Sequence, residues 1–152
     1  MADELARQRV ITQIGIVVRD VEAKARAWSE IFGLPMPTIS TTDSYEFTHA
    51  EYRGVATHAR AKLAFFHFDN ITIELIEPVD GPSTWAEQLE AHGDSLHHIA
   101  FSLGGVDAMM AKLPTLEGAG LRLVQRGDWA PDGRYLYLDG VDRLGAILEM
   151  LP

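Results

Sequence analysis

Two stretches of this chain are copies of one pattern. Leu96-His97-His98-Ile99-Ala100-Phe101-Ser102-Leu103 and Thr12-Gln13-Ile14-Gly15-Ile16-Val17-Val18 both read as short strands, and Gln13 stands where His98 stands, an offset of 98 − 13 = 85. Carried forward, that offset pairs Gly15 with Ala100, Val21 with Val106, Ala23 with Ala108 and Gly33 with Gly118, the last pair closing a predicted helix in each half. A register that holds over about twenty residues predicts two copies of one structural unit, each sending polar side chains into one shared site. At 152 residues the chain is expected to form a single domain, 1–152, from the two units.

Periodicity predicts the content of each unit. Residues 10–19 read as a strand with Ile14, Ile16 and Val18 on one face and Gln13, Gly15 and Val17 on the other. Asp20 is placed to cap a helix whose Val21, Ala25, Trp28, Ile31 and Phe32 recur at helical spacing and which Gly33 ends. Strands are expected over 44–53, 57–68 and 71–77, which makes the first unit, 10–78, a βαβββ module. The connector, 79–94, is rich in Gly, Pro and charge, and Ser83 can cap a short helix carrying Trp85 and Leu89. The second unit, 95–151, repeats the order: a strand at 95–103, a helix at 106–118 that Pro114 is expected to kink or shorten, and strands at 120–126, 134–139 and 145–151. The expected fold class is therefore α+β.

Composition removes several functions. There is no Cys, hence no disulfide, thiolate metal site or Cys nucleophile. The opening residues 1–9 are polar and mixed in charge, read as a frayed leader and not a secretory signal, and no apolar run approaches a membrane span. A formal net charge of −9 argues against nucleic acid or an anionic membrane as partner. Together these lead to the expectation of a cytoplasmic protein.

Four polar residues interrupt apolar strands at repeat-equivalent places: Gln13 and His98 in the first strand of each unit, Glu74 and Glu149 in the last. A carboxylate in so apolar a strand is costly unless it is paired, protonated or metal-bound. Taken singly, each has an ordinary structural reading, a hydrogen-bonded core histidine or a glutamate on a solvated face. Jointly, an amide oxygen, an imidazole and two carboxylates form a mixed O/N set that suits one divalent ion, Zn²⁺, Ni²⁺, Co²⁺ or Mn²⁺. His97 points with the core set and is expected to be structural.

These residues carry a resemblance. Gln13-Ile-Gly-Ile-Val-Val-Arg-Asp-Val-Glu-Ala, Ile73-Glu-Leu-Ile-Glu-Pro78, His97-His-Ile-Ala-Phe101 and Ile147-Leu-Glu-Met150 resemble the vicinal oxygen chelate superfamily, which includes glyoxalase I, methylmalonyl-CoA epimerase, extradiol dioxygenases and bleomycin-resistance proteins. The resemblance implies two βαβββ modules forming a cup-shaped mixed sheet around one divalent metal per chain, held by Gln13, Glu74, His98 and Glu149. Motif context resembles methylmalonyl-CoA epimerase, although that family usually has His at the first position. The ligand identities instead look like those of zinc-type glyoxalase I, whose longer glutathione-binding context is missing here.

The function this implies is a metal-dependent lyase, isomerase or epimerase that removes a proton next to a carbonyl through an enolate or enediolate. Glu149 is then both ligand and base, and Glu51, in His49-Ala-Glu51-Tyr-Arg-Gly54-Val55, is the second acid/base, with His49 as the spare. The implied partners are a small-molecule substrate with a carbonyl or thioester and a second copy of the chain, as a homodimer. Trp129, Tyr135 and Tyr137 are candidates for a pocket wall or for core, and Arg126, Arg134 and Arg143 for contact with an anionic substrate. The alternative from another class is a non-catalytic small-molecule binding or resistance protein. A ring-cleaving dioxygenase ranks third, because two His and one carboxylate for Fe²⁺ are not assembled.

Overall fold

The computed structural model describes residues 10–152, so the expected leader at 1–9 lies outside the described residues. In chain order the elements are β1 Gln13–Val17, α1 Val21–Phe32, β2 Ser40–Thr41, α2 Tyr45–Thr48, β3 Glu51–Tyr52, β4 Val55–Ala56, β5 Arg60–His67, β6 Thr72–Asp80 and α3 Thr84–His92. There follow β7 Ser95–Ser102, α4 Val106–Gly118, β8 Arg122–Ala130, β9 Gly133–Gly140, α5 Val141–Leu144 and β10 Ala146–Leu151.

The helices start and stop where local chemistry dictates. The Asp20 carboxylate accepts from the Ala23 N–H at 2.9 Å at the head of α1, and Gly33 takes the left-handed conformation (φ 64°) that ends it. Ser83 caps α3 by accepting from the Ala86 N–H at 3.0 Å. The helix α4 runs through Pro114 to Gly118 without ending early. Its buried stripe, Met109 and Leu116, lies away from the exposed Pro114 ring.

All ten strands join one mixed sheet in the order β2-β5-β6-β1-β7-β10-β9-β8-β3-β4. The pairs β1·β6 and β7·β10 are parallel, and β1·β7, the seam between the repeats, is antiparallel. The convex side is covered by helices over two apolar clusters. Val18, Val21, Ala25, Phe66, Ile73 and Leu75 pack with Ile14, Ile16 and Trp28 in the first half; Met109, Leu116, Leu121, Leu138 and Met150 pack with Phe101 and Leu148 in the second. The two arms curl toward each other, so that residues of β1, β2, β5, β6, β8, β9 and β10 line one cavity of about 480 Å³. The sheet is a half-barrel, as the α+β expectation required. Among the described residues no helix is long and apolar enough to cross a membrane.

One expected strand is absent. Residues 44–53 form α2 and then the two-residue β3, because the chain turns through a positive φ at His49 (46°) and again at Arg53 (51°), which an extended strand cannot accommodate. Strand β3 then pairs with β8, so this part of the first half closes the sheet of the second. Before β5, the Thr57 hydroxyl donates to Pro82 O and accepts from the Ala59 N–H, local bonds that replace the start of the strand expected at 57.

Candidate metal centre

Strand register places the four polar residues on one face. Gly15 of β1 is flanked by Glu74 of β6 and His98 of β7. Its repeat partner Ala100 of β7 is flanked by Gln13 of β1 and Glu149 of β10. Residues paired across neighbouring strands point to the same side, so all four polar side chains rise from the concave face around a pseudo-two-fold axis. Gly15 is required here: a Cβ at that position would lie closer than 3.0 Å to three atoms of the His98 ring.

The side chains converge tightly. His98 Nε2 lies 3.0 Å from Glu149 Oε2 and 3.5 Å from Glu74 Oε2. Gln13 Nε2 donates to Glu74 Oε2 at 2.6 Å and lies 3.4 Å from His98 Nε2. One donor atom from each of Glu74, His98 and Glu149 falls within 4.8 Å of the others. Exposure of the three residues is only 6%, 2% and 4%.

Burial and the neighbouring Glu149 carboxylate raise the pKa of Glu74, against the opposing effects of His98 and the Gln13 hydrogen bond. Burial alone would lower the pKa of His98, but the charges of Glu149 and Glu74 and the Glu149 contact outweigh it and raise the pKa. Even so, Glu149 Oε2 has no hydrogen bond of acceptable geometry although it is buried. A buried carboxylate oxygen without a donor is expensive, and it marks the place where a cation fits.

Behind His98 runs a buried chain of hydrogen bonds. His98 Nδ1 meets His97 Nδ1 at 2.9 Å, and His97 Nε2 meets Thr84 Oγ1 at 3.1 Å. Thr84 Oγ1 donates to Gln125 Oε1 at 3.1 Å, and Gln125 Nε2 donates to the Tyr135 hydroxyl at 3.0 Å. Its direction follows from charge. Burial, and then the proximity of His98, push the pKa of His97 well down, so His97 is neutral. Thr84 uses its only proton on Gln125, so His97 Nε2 is the donor to Thr84 and His97 Nδ1 is the acceptor. His98 Nδ1 therefore carries a proton, and Nε2 is the ring nitrogen that faces the two carboxylates. The structural role expected of His97 is this one.

Above the cluster, Phe65, Trp85, Tyr135 and Tyr137 form the cavity wall, and Asp43, Asp128 and Trp129 also line it. Of the candidates for a pocket wall, Trp129, Tyr135 and Tyr137 all reach the cavity. Glu51 does not: it sits on β3 with its side chain 41% exposed and 3.6 Å from Arg126. His49 is likewise outside the cavity lining, 3.7 Å from Asp128. Arg134 is held by Asp128 at 2.6 Å and does not face the cavity. Phe65 and Trp85 were missed as site residues. For Phe65 the signal was strand alternation, since it pairs directly with Glu74; Trp85 has no signal beyond its place on the connector helix. Asp43 and the Ser40–Thr42 rim follow two prolines and have no periodicity to read.

A family model described as the glyoxalase/bleomycin resistance protein/dioxygenase superfamily matches residues 12–137. Solved structures similar to this chain include a hypothetical protein from Bacillus halodurans C-125 (18% identity, TM-score 0.64, 93% of this chain and 91% of that one). They also include a methylmalonyl-CoA epimerase in complex with methylmalonyl-CoA and NH4+ (21%, 0.64, 93% and 92%). A third is the methylmalonyl-CoA epimerase from Mycobacterium tuberculosis (20%, 0.64, 93% and 86%). At these identities the likeness establishes the fold. No curated protein matches the sequence.

Proposed function

The chain belongs to the glyoxalase/bleomycin resistance protein/dioxygenase superfamily and has its vicinal oxygen chelate fold, and from that premise we propose that it is a divalent-metal-dependent lyase, isomerase or epimerase that removes a proton next to a carbonyl. The observation that carries the reading is the buried convergence of Glu74, His98 and Glu149, with Gln13 hydrogen-bonded to it and one carboxylate oxygen lacking a donor. The set fits one ion of the Zn²⁺, Ni²⁺, Co²⁺ or Mn²⁺ type: two carboxylates balance its charge, and the imidazole and amide oxygen are neutral ligands of suitable hardness. Gln13 would present its oxygen by rotating the amide by half a turn.

A divalent ion held by Gln13, Glu74, His98 and Glu149 would supply Lewis acidity toward a carbonyl group. The remaining work belongs to the chain. Glu149 is the base, because its side chain belongs to the cluster and also lines the cavity, where a carboxylate can accept the proton. His97, Thr84 and Gln125 fix the tautomer and tilt of His98. The aromatic wall gives the carboxylate a largely apolar surround on the cavity side. Proton transfer as proposed does not use Glu51, which points away from this cavity.

The test is elemental analysis of the wild type and Glu149→Ala, both purified without a histidine tag or chelator. About one divalent ion per chain is expected in the wild type, with at least about tenfold weaker retention in the variant, in line with the loss of a metal ligand or its supporting partner. The loaded wild type is then expected to exchange the C–H next to a carbonyl with heavy water, as read by NMR, whereas Glu149→Ala does not. No metal in either protein after reconstitution with Zn²⁺, Co²⁺ and Ni²⁺ overturns the reading in favour of a ligand-binding protein.

A further inference from the structure

Resting on that metal-centre reading and extending it to the substrate, we propose that the cavity takes an uncharged carbonyl compound with a flat apolar body, and discriminates against anionic carboxylates and acyl thioesters of CoA. Charge is the first argument. The charged residues lining the cavity are Asp43, Glu74, Asp128 and Glu149, and among the described residues no Lys or Arg lines it. Glu74 and Glu149 balance one divalent ion, so the centre offers no surplus positive charge to a substrate anion.

The arginines on the elements around the cavity are already engaged. Arg134 is clamped on Asp128 (2.6 Å), and Arg60 donates from Nε to Thr42 O (3.0 Å) with its other end 3.8 Å from Asp80. Arg126 faces Glu51 (3.6 Å) and Arg53 is held by Glu87 (2.9 Å). Asp43 remains at the rim, exposed, so an anion entering the cavity meets carboxylate on the way in.

The wall supplies the positive half of the argument. Trp85, Tyr135 and Tyr137 form a contiguous aromatic surface, with ring centroids 4.9 to 6.1 Å apart, and Phe65 adds to it. Trp129 stands on the β8–β9 hairpin, 53% exposed, yet also lines the cavity. Its indole lies over Gly133, where any Cβ would collide with it. A large aromatic half-exposed at a cavity edge, with a glycine beneath it and no other ring stacked on it among the described residues, offers its open face for stacking.

Two hydroxyls complete the match. Tyr137 accepts from Trp85 Nε1 at 3.0 Å and Tyr135 accepts from Gln125 Nε2 at 3.0 Å. Among the described residues neither phenol donates to a protein group, so each O–H is available as a donor. The cavity therefore presents hydrogen-bond donors, aromatic faces and negative charge, which select a neutral molecule with acceptor oxygens.

The test compares three probes of one aromatic core: uncharged 2-hydroxyacetophenone, anionic phenylglyoxylate and benzoyl-CoA. Calorimetric titration at low salt is run on the protein as purified and after zinc addition, with metal content measured on the same samples. The neutral probe is expected to bind at least about tenfold more tightly than either anion. Trp129→Ala is expected to weaken the neutral probe roughly five- to tenfold, and Asp43→Lys to narrow the preference by tightening both anionic probes. Equal or tighter binding of phenylglyoxylate or benzoyl-CoA, or no effect of Trp129→Ala, overturns the proposal. A metal-loaded protein that prefers anions refutes only the substrate class. A protein that takes up no metal refutes the catalytic reading, and its ranking of the three probes still decides the class.

Discussion

At the scale of single residues, Gly15 decides whether the cluster can exist. It is an ordinary interior strand glycine by backbone conformation, so its value lies in the missing side chain: the space is filled by the His98 ring. Gly15→Ala is expected to push His98 off its chain to His97, destabilise the protein by about 1–3 kcal/mol as an overpacked core does, and cut zinc affinity at least about tenfold. Denaturant titration and competition with a fluorescent zinc chelator would check both; unchanged zinc affinity would mean that His98 tolerates displacement and that the geometry is less demanding than argued. The convergence of Gln13, Glu74, His98 and Glu149 was legible in the sequence because polar residues in apolar strands stand out and an internal repeat puts them in register. The cavity wall was less legible. Phe65 and Trp85 are apolar residues among many, and only closure of the sheet distinguishes a wall from core. Glu51, a carboxylate in a suggestive sequence context, lies on a segment that pairs with β8 and is outside the cavity lining.

At the scale of elements, the long alternating strands and the capped helices were readable because each is driven by local periodicity and a cap. The segment 44–53 is not the expected strand: Tyr45 packs against His49 within the segment and His58 beyond it, and the backbone turns at His49. A proline within a helix is expected to kink or shorten α4; the helix is not shortened, because its apolar stripe of Met109, Leu113 and Leu116 holds it to the sheet while the proline is exposed. Tertiary packing offsets the lost hydrogen bond to Met110 O. Pro114→Ala restores that bond and leaves no cavity at an exposed position, so it is expected to stabilise the protein. An interior proline costs about 3 kcal/mol, and its removal gives back about 1 kcal/mol of chain entropy to the unfolded state. The net gain of about 2 kcal/mol corresponds to a Tm rise of roughly 4–8 °C by calorimetry. A fall in Tm would show that the proline stabilises α4.

At the scale of the whole molecule, the repeat explains why one centre can hold the two halves together. The halves meet at the antiparallel β1·β7 seam, and each contributes one residue from its first strand and one from its last to the cluster. An ion bound there would bridge four strands, β6, β1, β7 and β10, that are consecutive at the centre of the sheet. Unfolding either half destroys the site, so binding free energy adds to the stability of both. Zinc at about a hundred times its Kd is expected to add about 2.7 kcal/mol, which raises Tm by roughly 5–10 °C for a chain of this size. The halves carry separate reporters: Trp28, packed on Phe32 and Phe66, reads the first, and Trp129 on the β8–β9 hairpin reads the second. Single-tryptophan variants of each kind should melt at one temperature and shift together on zinc addition. A zinc-dependent shift confined to one reporter would mean that the ion is held within one half, and that the pseudo-two-fold arrangement of ligands does not describe the site.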